Sequence, residues 1–181
     1  MFFQLIKQDT TLIQFFLNIL IVILGRLLDI LSTRYVTKQL KLETNKLARK
    51  IGWRGMVFLQ IPIIILGSLD YYFAIFIFFW SILIFGNNIQ GSWYIKEIGE
   101  ENYQQELSSH LKATKPWKII FGELSLLLTF TFTGIFIIIA IFIFNDLIIV
   151  FFISLALICQ GILGTIRSLR YLFELKKERI N

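Results

Sequence analysis

The sequence has 181 residues, of which 56% are hydrophobic and 17% are charged, and its formal net charge is +6. A soluble domain typically carries about 25% charged residues. Together with a mean hydropathy of +0.73, this composition excludes an ordinary soluble protein. It predicts an integral membrane protein.

The sequence contains one cysteine, Cys159, and one histidine, His110. A single cysteine excludes an intrachain disulfide, and a zinc site would have to use mostly carboxylate ligands. We expect Cys159 to behave as a small buried hydrophobic residue and His110 to lie on the surface. The sequence carries no motif typical of hydrolases, zinc proteases or nucleotide-binding enzymes. It indicates no cofactor, so the cofactor is unknown.

Five apolar segments are long enough to cross a membrane as helices, which takes about 17 to 25 residues. They cover residues 10–33, 53–69, 71–88, 117–144 and 147–167. Pro62 in the second segment lacks an N–H and is expected to kink it. Tight turns are predicted at 67–70 and at the polar pair Asn145–Asp146. The sequence thus predicts an all-α, polytopic transmembrane helical bundle in a single domain, 1–181.

The charges between the spans predict the orientation of the bundle. The segment 34–54 contains seven basic residues and one acid, and the segment from Arg167 onwards contains five basic residues and two acids. The positive-inside rule places these segments in the cytoplasm, and five spans then give an N-out/C-in topology. The predicted cytoplasmic parts are the loops 34–52 and 89–116 and the tail 168–181. We expect the membrane to be the cytoplasmic membrane of a bacterium or an archaeon.

The basic excess also predicts a class of partner. In a membrane protein, basic loops attract anionic lipid headgroups. The bilayer and its anionic headgroups, at the basic loop and tail, are therefore the expected partners, and nucleic acid is not. Five spans enclose little volume, which favours a homo-oligomer or a larger membrane complex.

The first span carries a polar stripe on an otherwise apolar helix. At about 100° per residue, its polar and small residues fall within an arc of roughly 120°. They are Thr11, Gln14, Asn18, Gly25, Arg26, Asp29, Ser32 and Thr33. Because lipid cannot satisfy polar groups, the stripe is expected to face other helices or water. Arg26 and Asp29 can form an i, i+3 pair, which serves either structural neutralisation or a functional site.

Other spans place polar residues at a similar depth. They are Asn87, Glu123, Gln160 and Arg167. Asp29 and Glu123 are predicted to coordinate a cation or share a proton, whereas Arg26 and Arg167 suit a phosphate or a carboxylate. The hydroxyls that follow Glu123 along its helix are more simply explained by hydrogen bonds to carbonyls of their own helix. These hydroxyls belong to Ser125, Thr129 and Thr133.

A short pattern in the first two spans resembles a known family. It consists of Asp29-x-x-Ser32-Thr33, then Leu42-Glu43-Thr44-Asn45, then Ile51-Gly52-Trp53. This pattern resembles the small uncharacterised multi-span proteins of the DUF5658 type, in which Asp-x-x-(Ser/Thr)-Thr is followed by Glu-x-Asn-Pro; Lys46 stands where that pattern has proline. The resemblance covers about a quarter of the chain by the span estimate. It implies that a turn at Glu43 and Asn45 folds back towards Asp29 and Thr33, and it implies no known activity.

The residues themselves also permit a simpler role for Glu43. It is the one acid among the seven bases of segment 34–54, so it can balance neighbouring lysines in a solvated loop. Such an exposed pair would contribute less than about 1 kcal/mol.

Three functions are compatible with this sequence. The first is a small transport, channel or solute-binding component with a polar site near the cytoplasmic side. The second is a membrane enzyme that acts on a lipid headgroup at the cytoplasmic interface, and the third is a scaffold or partner-binding subunit. The missing enzyme motifs favour the first, and no catalytic or metal-binding residue is predicted. The candidate ligand-binding residues are Arg26, Asp29, Thr33, Glu43, Asn45, Glu123 and Arg167.

Overall fold

The computed structural model describes residues 12–144 and 148–177. Within these ranges the chain forms eight helices and no strand, which confirms the all-α prediction. The helices are α1 (Leu12–Val36), α2 (Lys46–Phe58), α3 (Gln60–Gly67), α4 (Tyr71–Ile89), α5 (Ser92–Ile98), α6 (Glu100–Ala113), α7 (Pro116–Phe144) and α8 (Ile148–Lys177).

Four of these helices, α1, α4, α7 and α8, are long and apolar enough to cross a membrane. α2 and α3 form a fifth candidate crossing, if the pair counts as one span bent by 54°. These are the elements of an integral membrane protein. The predicted turn at Asn145–Asp146 and the first two residues of the predicted span 10–33 lie outside the described residues.

The second predicted span differs most from its prediction. The sequence predicts one segment, 53–69, after a loop, 34–52, whereas the helix already begins at Lys46. Asn45 caps this helix, because its side chain accepts a hydrogen bond from the Leu47 N–H. Gly52 interrupts α2 with a φ of 68°. A second break, at Leu59, separates α2 from α3. It lies just before Pro62, which has no N–H to bond to the preceding turn.

The turn predicted at 67–70 is present. α3 ends at Gly67, and α4 begins at Tyr71. The Asp70 carboxylate accepts a hydrogen bond from the Phe73 N–H at 2.9 Å, so it caps α4. The polar segment that follows α4 forms two short helices, α5 and α6. Gly99 separates them with a φ of 86°, which favours glycine.

α4 lies at the centre of the bundle, between α1 and α8. The helices meet in a cluster of buried apolar side chains, which are Val22, Ala74, Phe76, Ile77 and Ala156. Gly25 allows α1 and α4 to approach closely, because a Cβ at this position would lie 3.0 Å from the Phe78 Cα. α6 packs on the C-terminal part of α8. The loop between α1 and α2 lies against these two helices, because Glu100 of α6 accepts hydrogen bonds from its backbone and Tyr171 of α8 donates to the Lys41 carbonyl oxygen.

α7 is the peripheral helix of the bundle and packs on α8. Its apolar stretch is 6% buried inside the protein, compared with 22% for α1 and 28% for both α4 and α8. The inner group of helices therefore consists of α1, α4 and α8, and the polar side chains of α1 lie within this group.

Candidate functional site

Arg26 of α1 is the centre of a hydrogen-bonded cluster that joins three helices. Its Nε donates to Gln60 Oε1 of α3 at 2.6 Å, and its Nη1 donates to Ser81 Oγ of α4 at 3.3 Å. Its Nη2 forms an ion pair with Asp29 Oδ2 at 2.6 Å. The Arg26 and Asp29 side chains are 15% and 14% exposed. Their pairing and the added hydrogen bonds reduce the cost of removing two charges from water.

The next turn of α1 binds α4 through hydroxyl groups. Asn88 Nδ2 donates to Ser32 Oγ at 2.9 Å and to Thr33 Oγ1 at 3.0 Å. The Ser32 hydroxyl in turn donates to the Asp29 carbonyl oxygen at 2.9 Å. Both hydroxyl residues are buried. This part of the polar stripe therefore faces a neighbouring helix, as the sequence predicts.

The loop between α1 and α2 is held in place by α6. Glu100, the first residue of α6, accepts hydrogen bonds from the Gln39 N–H at 3.1 Å and the Lys41 N–H at 2.8 Å. The Thr37 hydroxyl also donates to this carboxylate. Burial opposes ionisation of Glu100, but these hydrogen bonds outweigh it and hold the pKa of Glu100 below its ordinary value. The charged carboxylate thus fixes the course of the loop.

Glu43 lies in this loop and faces the same space as Asp29. Its Oε1 accepts a hydrogen bond from the Asn45 N–H at 2.8 Å, and Asn45 Oδ1 accepts one from the Leu47 N–H at 3.1 Å. Burial raises the pKa of Glu43; the Asn45 N–H and the Arg167 charge oppose this rise, and the Asp29 charge adds to it. The turn thus folds back towards Asp29, the arrangement that the family resemblance implies.

The basic residues near this turn bind other acids. Their ion pairs are Lys41–Glu101 at 2.5 Å, Lys46–Glu174 at 3.1 Å and Arg49–Glu174 at 2.6 Å. In the described part of the chain, no ion pair within 4 Å involves Glu43. Of the simpler role, in which Glu43 balances a neighbouring base, what is observed is an attraction to the Arg49 charge without a direct ion pair.

A cavity of about 740 Å³ lies between α1, α2, α3, α4, α8 and the loop. Its polar end is lined by six of the predicted site residues, which are Arg26, Asp29, Thr33, Glu43, Asn45 and Arg167. Its other end, towards the turn at 67–70, is lined by the apolar residues Ile63, Leu66, Phe73, Phe76 and Ile77. The cavity is therefore amphipathic along its length.

Arg167 of α8 supplies the second positive charge of the polar end. Its Nε donates to the Leu163 carbonyl oxygen of its own helix at 3.2 Å. Its charge attracts both Asp29 and Glu43. However, no carboxylate among residues 12–144 and 148–177 forms an ion pair with Arg167 within 4 Å. Its guanidinium can therefore bind an anion without first breaking such a pair.

Glu123 of α7 does not line the main cavity. It lines a separate pocket of about 90 Å³, where the Ser168 hydroxyl forms a hydrogen bond with it. Four residues line both spaces, namely Asn87, Gln160, Gly164 and Ser168. The fold thus places Glu123 beside the other six candidates, separated from them by one layer of mostly polar side chains.

Three residues that complete the cluster were not among the sequence candidates: Gln60, Ser81 and Asn88. Gln60 could have been predicted from the sequence, because between Gly55 and Gly67 it is the one side chain that can form a conventional hydrogen bond. Ser81 could not have been predicted in this way, because a serine within an apolar helix often bonds to the backbone of its own helix.

The other residues considered from the sequence lie outside the cavity. Along α7, the Ser125, Thr129 and Thr133 hydroxyls donate to carbonyls of their own helix at 2.6, 2.9 and 2.7 Å, as predicted. His110 lies on the surface with a 76% exposed side chain. Cys159 is partly buried beside the central apolar cluster. Among the described residues, no group of three histidine, cysteine or acidic side chains is arranged to hold a metal ion.

The chain matches no protein-family model, no curated protein sequence and no solved structure. The resemblance to the DUF5658 type therefore stays a prediction.

Proposed function

We propose that the chain is an integral membrane protein that binds a solute in this cavity, as a small component of a transport or channel system. The proposal depends on one observation: a cavity of about 740 Å³ combines two arginines and two carboxylates with apolar walls. Small-molecule sites commonly have volumes of about 300 to 1,000 Å³, with a few convergent polar groups on an apolar surface.

The energetics of charges in a membrane support this proposal. Charged groups within a helix bundle are costly and usually mark a pathway or a binding site. Arg26 and Asp29 neutralise each other, so this pair by itself would fit a structural role. Arg167 and Glu43 line the same cavity, and neither forms an ion pair within 4 Å in the described ranges. A charged ligand would complete their interactions.

The scaffold alternative has less support from the contacts. It requires the basic loop and tail to be available to a partner. Lys46 and Arg49, however, already bind Glu174 within the fold. The Arg49 guanidinium also lies 5.2 Å from the centre of the Tyr171 ring. Part of the basic charge therefore joins α2 to α8 through side chains.

A membrane enzyme that acts on a lipid headgroup is the second candidate. It is favoured by the two carboxylates, Asp29 and Glu43, that line one cavity, because such groups can act as general acid and base. The purified chain would then convert its headgroup substrate, and Asp29→Asn would abolish turnover. Unchanged substrate after prolonged incubation with the wild-type chain would exclude this candidate.

Native mass spectrometry of the gently solubilised chain tests the binding proposal. Gly164 lines the cavity, so a leucine at this position would fill part of it. The fold can accept this change, because the added Cβ would meet Gln160 Nε2 at 3.3 Å and no other side chain within that distance. Gly122→Leu is the matched control, because a Cβ at Gly122 meets nothing within 4 Å. We expect a bound species in the wild type and in Gly122→Leu, and its loss in Gly164→Leu.

Asp29→Asn provides a second test of the same site. We expect this variant to insert and fold but to lose the bound species or its flux in reconstituted vesicles. A wild-type chain without any bound species would contradict the proposal. So would a species retained equally by Gly164→Leu and by Asp29→Asn.

Topology, location and partners belong to the same proposal. We expect an N-out/C-in bundle in a bacterial or archaeal cytoplasmic membrane, with anionic headgroups at the basic loop and tail. Labelling of single cysteines at Asp70 and Lys112, in a chain without Cys159, would place these positions on opposite sides. A homo-oligomer or a larger membrane complex is also expected, and a monomer in detergent-corrected light scattering would refute the homo-oligomer.

A further inference from the structure

This inference rests on the proposed function and names the class of ligand. We infer that the cavity binds an amphiphile, namely a lipid whose zwitterionic headgroup carries a phosphate and an ammonium group. Arg167 receives the phosphate, and Glu43 receives the ammonium group. The hydrocarbon chain follows the walls of α3 and α4 towards the turn at 67–70.

The length of the cavity favours an elongated ligand. Its lining extends along α4 from Phe73 to Asn87, which corresponds to about 21 Å at a helical rise of about 1.5 Å per residue. The Phe73 end is apolar, whereas the Asn87 end lies near the charged residues. A compact polar solute would fill one end and leave the apolar end empty. An amphiphile occupies both ends.

The apolar end is open at the side. Leu59, Leu66 and Phe73 line the cavity and are nevertheless 39%, 60% and 39% exposed. They belong to the part of the bundle that is apolar enough to lie in a membrane. A hydrocarbon chain can therefore enter from the bilayer without passing the charged end. Lipid tails are as apolar as these walls, so a chain that enters from the bilayer gains affinity from close packing rather than from the removal of water.

The charges at the polar end favour a zwitterion. Arg26 and Arg167 balance Asp29 and Glu43 when all four are ionised. A ligand with a net negative charge would leave an uncompensated charge in a half-buried site, which is unfavourable. A phosphate with an ammonium group adds no net charge.

The headgroup can use residues that the fold leaves outside ion pairs. Arg26 keeps its partner Asp29. Arg167 can bind phosphate oxygens in a bidentate manner. Glu43 and Arg167 both line the charged end of the cavity, and we expect the two ends of one headgroup to reach both side chains.

Defined lipids test the inference on the delipidated full chain. Native mass spectrometry would measure the binding of phosphatidylethanolamine, of phosphatidylglycerol with the same acyl chains, and of glycerophosphoethanolamine, which has the headgroup without the chains. We expect phosphatidylethanolamine to bind at least fivefold more tightly than phosphatidylglycerol. We expect glycerophosphoethanolamine to bind more than 100-fold more weakly than phosphatidylethanolamine.

Two variants assign the parts of the headgroup. Arg167→Gln should weaken phosphatidylethanolamine binding by at least tenfold, whereas Arg170→Gln, an exposed arginine on the same helix, should not change it. Glu43→Gln should remove the preference for phosphatidylethanolamine over phosphatidylglycerol. Circular dichroism would show that each variant retains its helices.

The outcomes separate this inference from the proposed function. Equal binding of the two lipids would refute the claim that the cavity selects a zwitterionic headgroup. Tight binding of glycerophosphoethanolamine would refute the claim that the ligand needs a hydrocarbon chain. If neither lipid binds but another species is lost in Gly164→Leu, the inference fails and the proposed function stands. If no species depends on Gly164, both fail.

Discussion

α1 and α7 are both long apolar helices with polar side chains. Apart from Glu123, which forms a hydrogen bond with Ser168 of α8, the bonded hydroxyls of α7 and the polar side chains of α1 are used in opposite ways. In α1, Arg26 reaches α3 and α4, and Thr33 accepts a hydrogen bond from α4. In α7, the Thr129 and Thr133 hydroxyls donate to carbonyls of their own helix. α1 lies in the inner group of helices, and α7 packs at the periphery.

The difference shows which polar groups direct packing in an apolar bundle. A hydroxyl can be satisfied by the preceding turn of its own helix, so it places no demand on a neighbour. A guanidinium with five donors, or a carboxamide, needs partners from other helices or water. Arg26 and Asn88 therefore fix the neighbours of α1, whereas the Ser125, Thr129 and Thr133 hydroxyls of α7 fix no neighbour.

The largest expected effect comes from Arg26→Met, which would leave Asp29 buried without its partner. We expect the free energy of unfolding in mixed micelles to fall by about 3 to 5 kcal/mol. The double variant Arg26→Met/Asp29→Leu should recover most of this loss. An Arg26→Met chain within about 1 kcal/mol of the wild type would show that the cluster does not hold α1 in place.

Gly134→Val tests whether shape, rather than polar contacts, attaches α7 to α8. A Cβ at this position would lie 2.8 Å from the Ser154 carbonyl oxygen and 2.6 Å from Ile158 Cγ1. We expect a loss of about 1 to 3 kcal/mol from overpacking, measured by the same unfolding method. Gly122→Val, with open space around its Cβ, serves as the control and should be close to the wild type. Equal stability of the two variants would contradict the close contact.

Asn88→Ala and Thr129→Val form the most direct comparison between the two helices. Asn88→Ala removes two hydrogen bonds to α1 and should cost about 1 kcal/mol. Thr129→Val removes one hydrogen bond within α7 and should change stability by less than about 0.5 kcal/mol. If Thr129→Val were the more harmful change, the hydroxyls of α7 would have a role that their contacts do not indicate.

The smallest expected effect is a dependence on pH at the loop beside α1. The raised pKa of Glu43 means that its stabilising contribution is fully present below its ordinary value of 4.5 and is lost as pH rises through the raised value. Asp29, Arg49 and Arg167 act on this group. Compared with Glu43→Gln, the wild type should therefore lose stability with rising pH in unfolding experiments.

Glu100 provides the contrasting case on the same loop. Its lowered pKa means that its contribution is present above the ordinary value of 4.5 and is lost as pH falls through the lowered value. Compared with Glu100→Gln, the wild type should lose stability on acidification. The same direction of pH dependence for both glutamates would show that Glu100 does not hold the loop through these hydrogen bonds.

The sequence by itself determined the class of the protein and the inward face of α1. Segment lengths, hydropathy and the 3.6-residue period are local properties, so they sufficed for the four long helices, for the turn at 67–70 and for the pairing of Arg26 with Asp29. The α7 hydroxyls were predictable for the same reason, because their acceptors lie three or four residues away.

The tertiary structure alone decided which residues complete the site. Gln60 and Asn88 bind side chains that lie 34 and 55 or 56 positions away in sequence, and no local pattern specifies such partners. The orientation of Glu43 also depends on a distant residue, because Glu100 holds the loop by accepting hydrogen bonds from its backbone. Glu123 lies in a separate pocket because α7 packs on the outer side of α8. Depth in a membrane can be estimated from sequence, but the rotation and neighbours of each helix depend on how all the helices pack together.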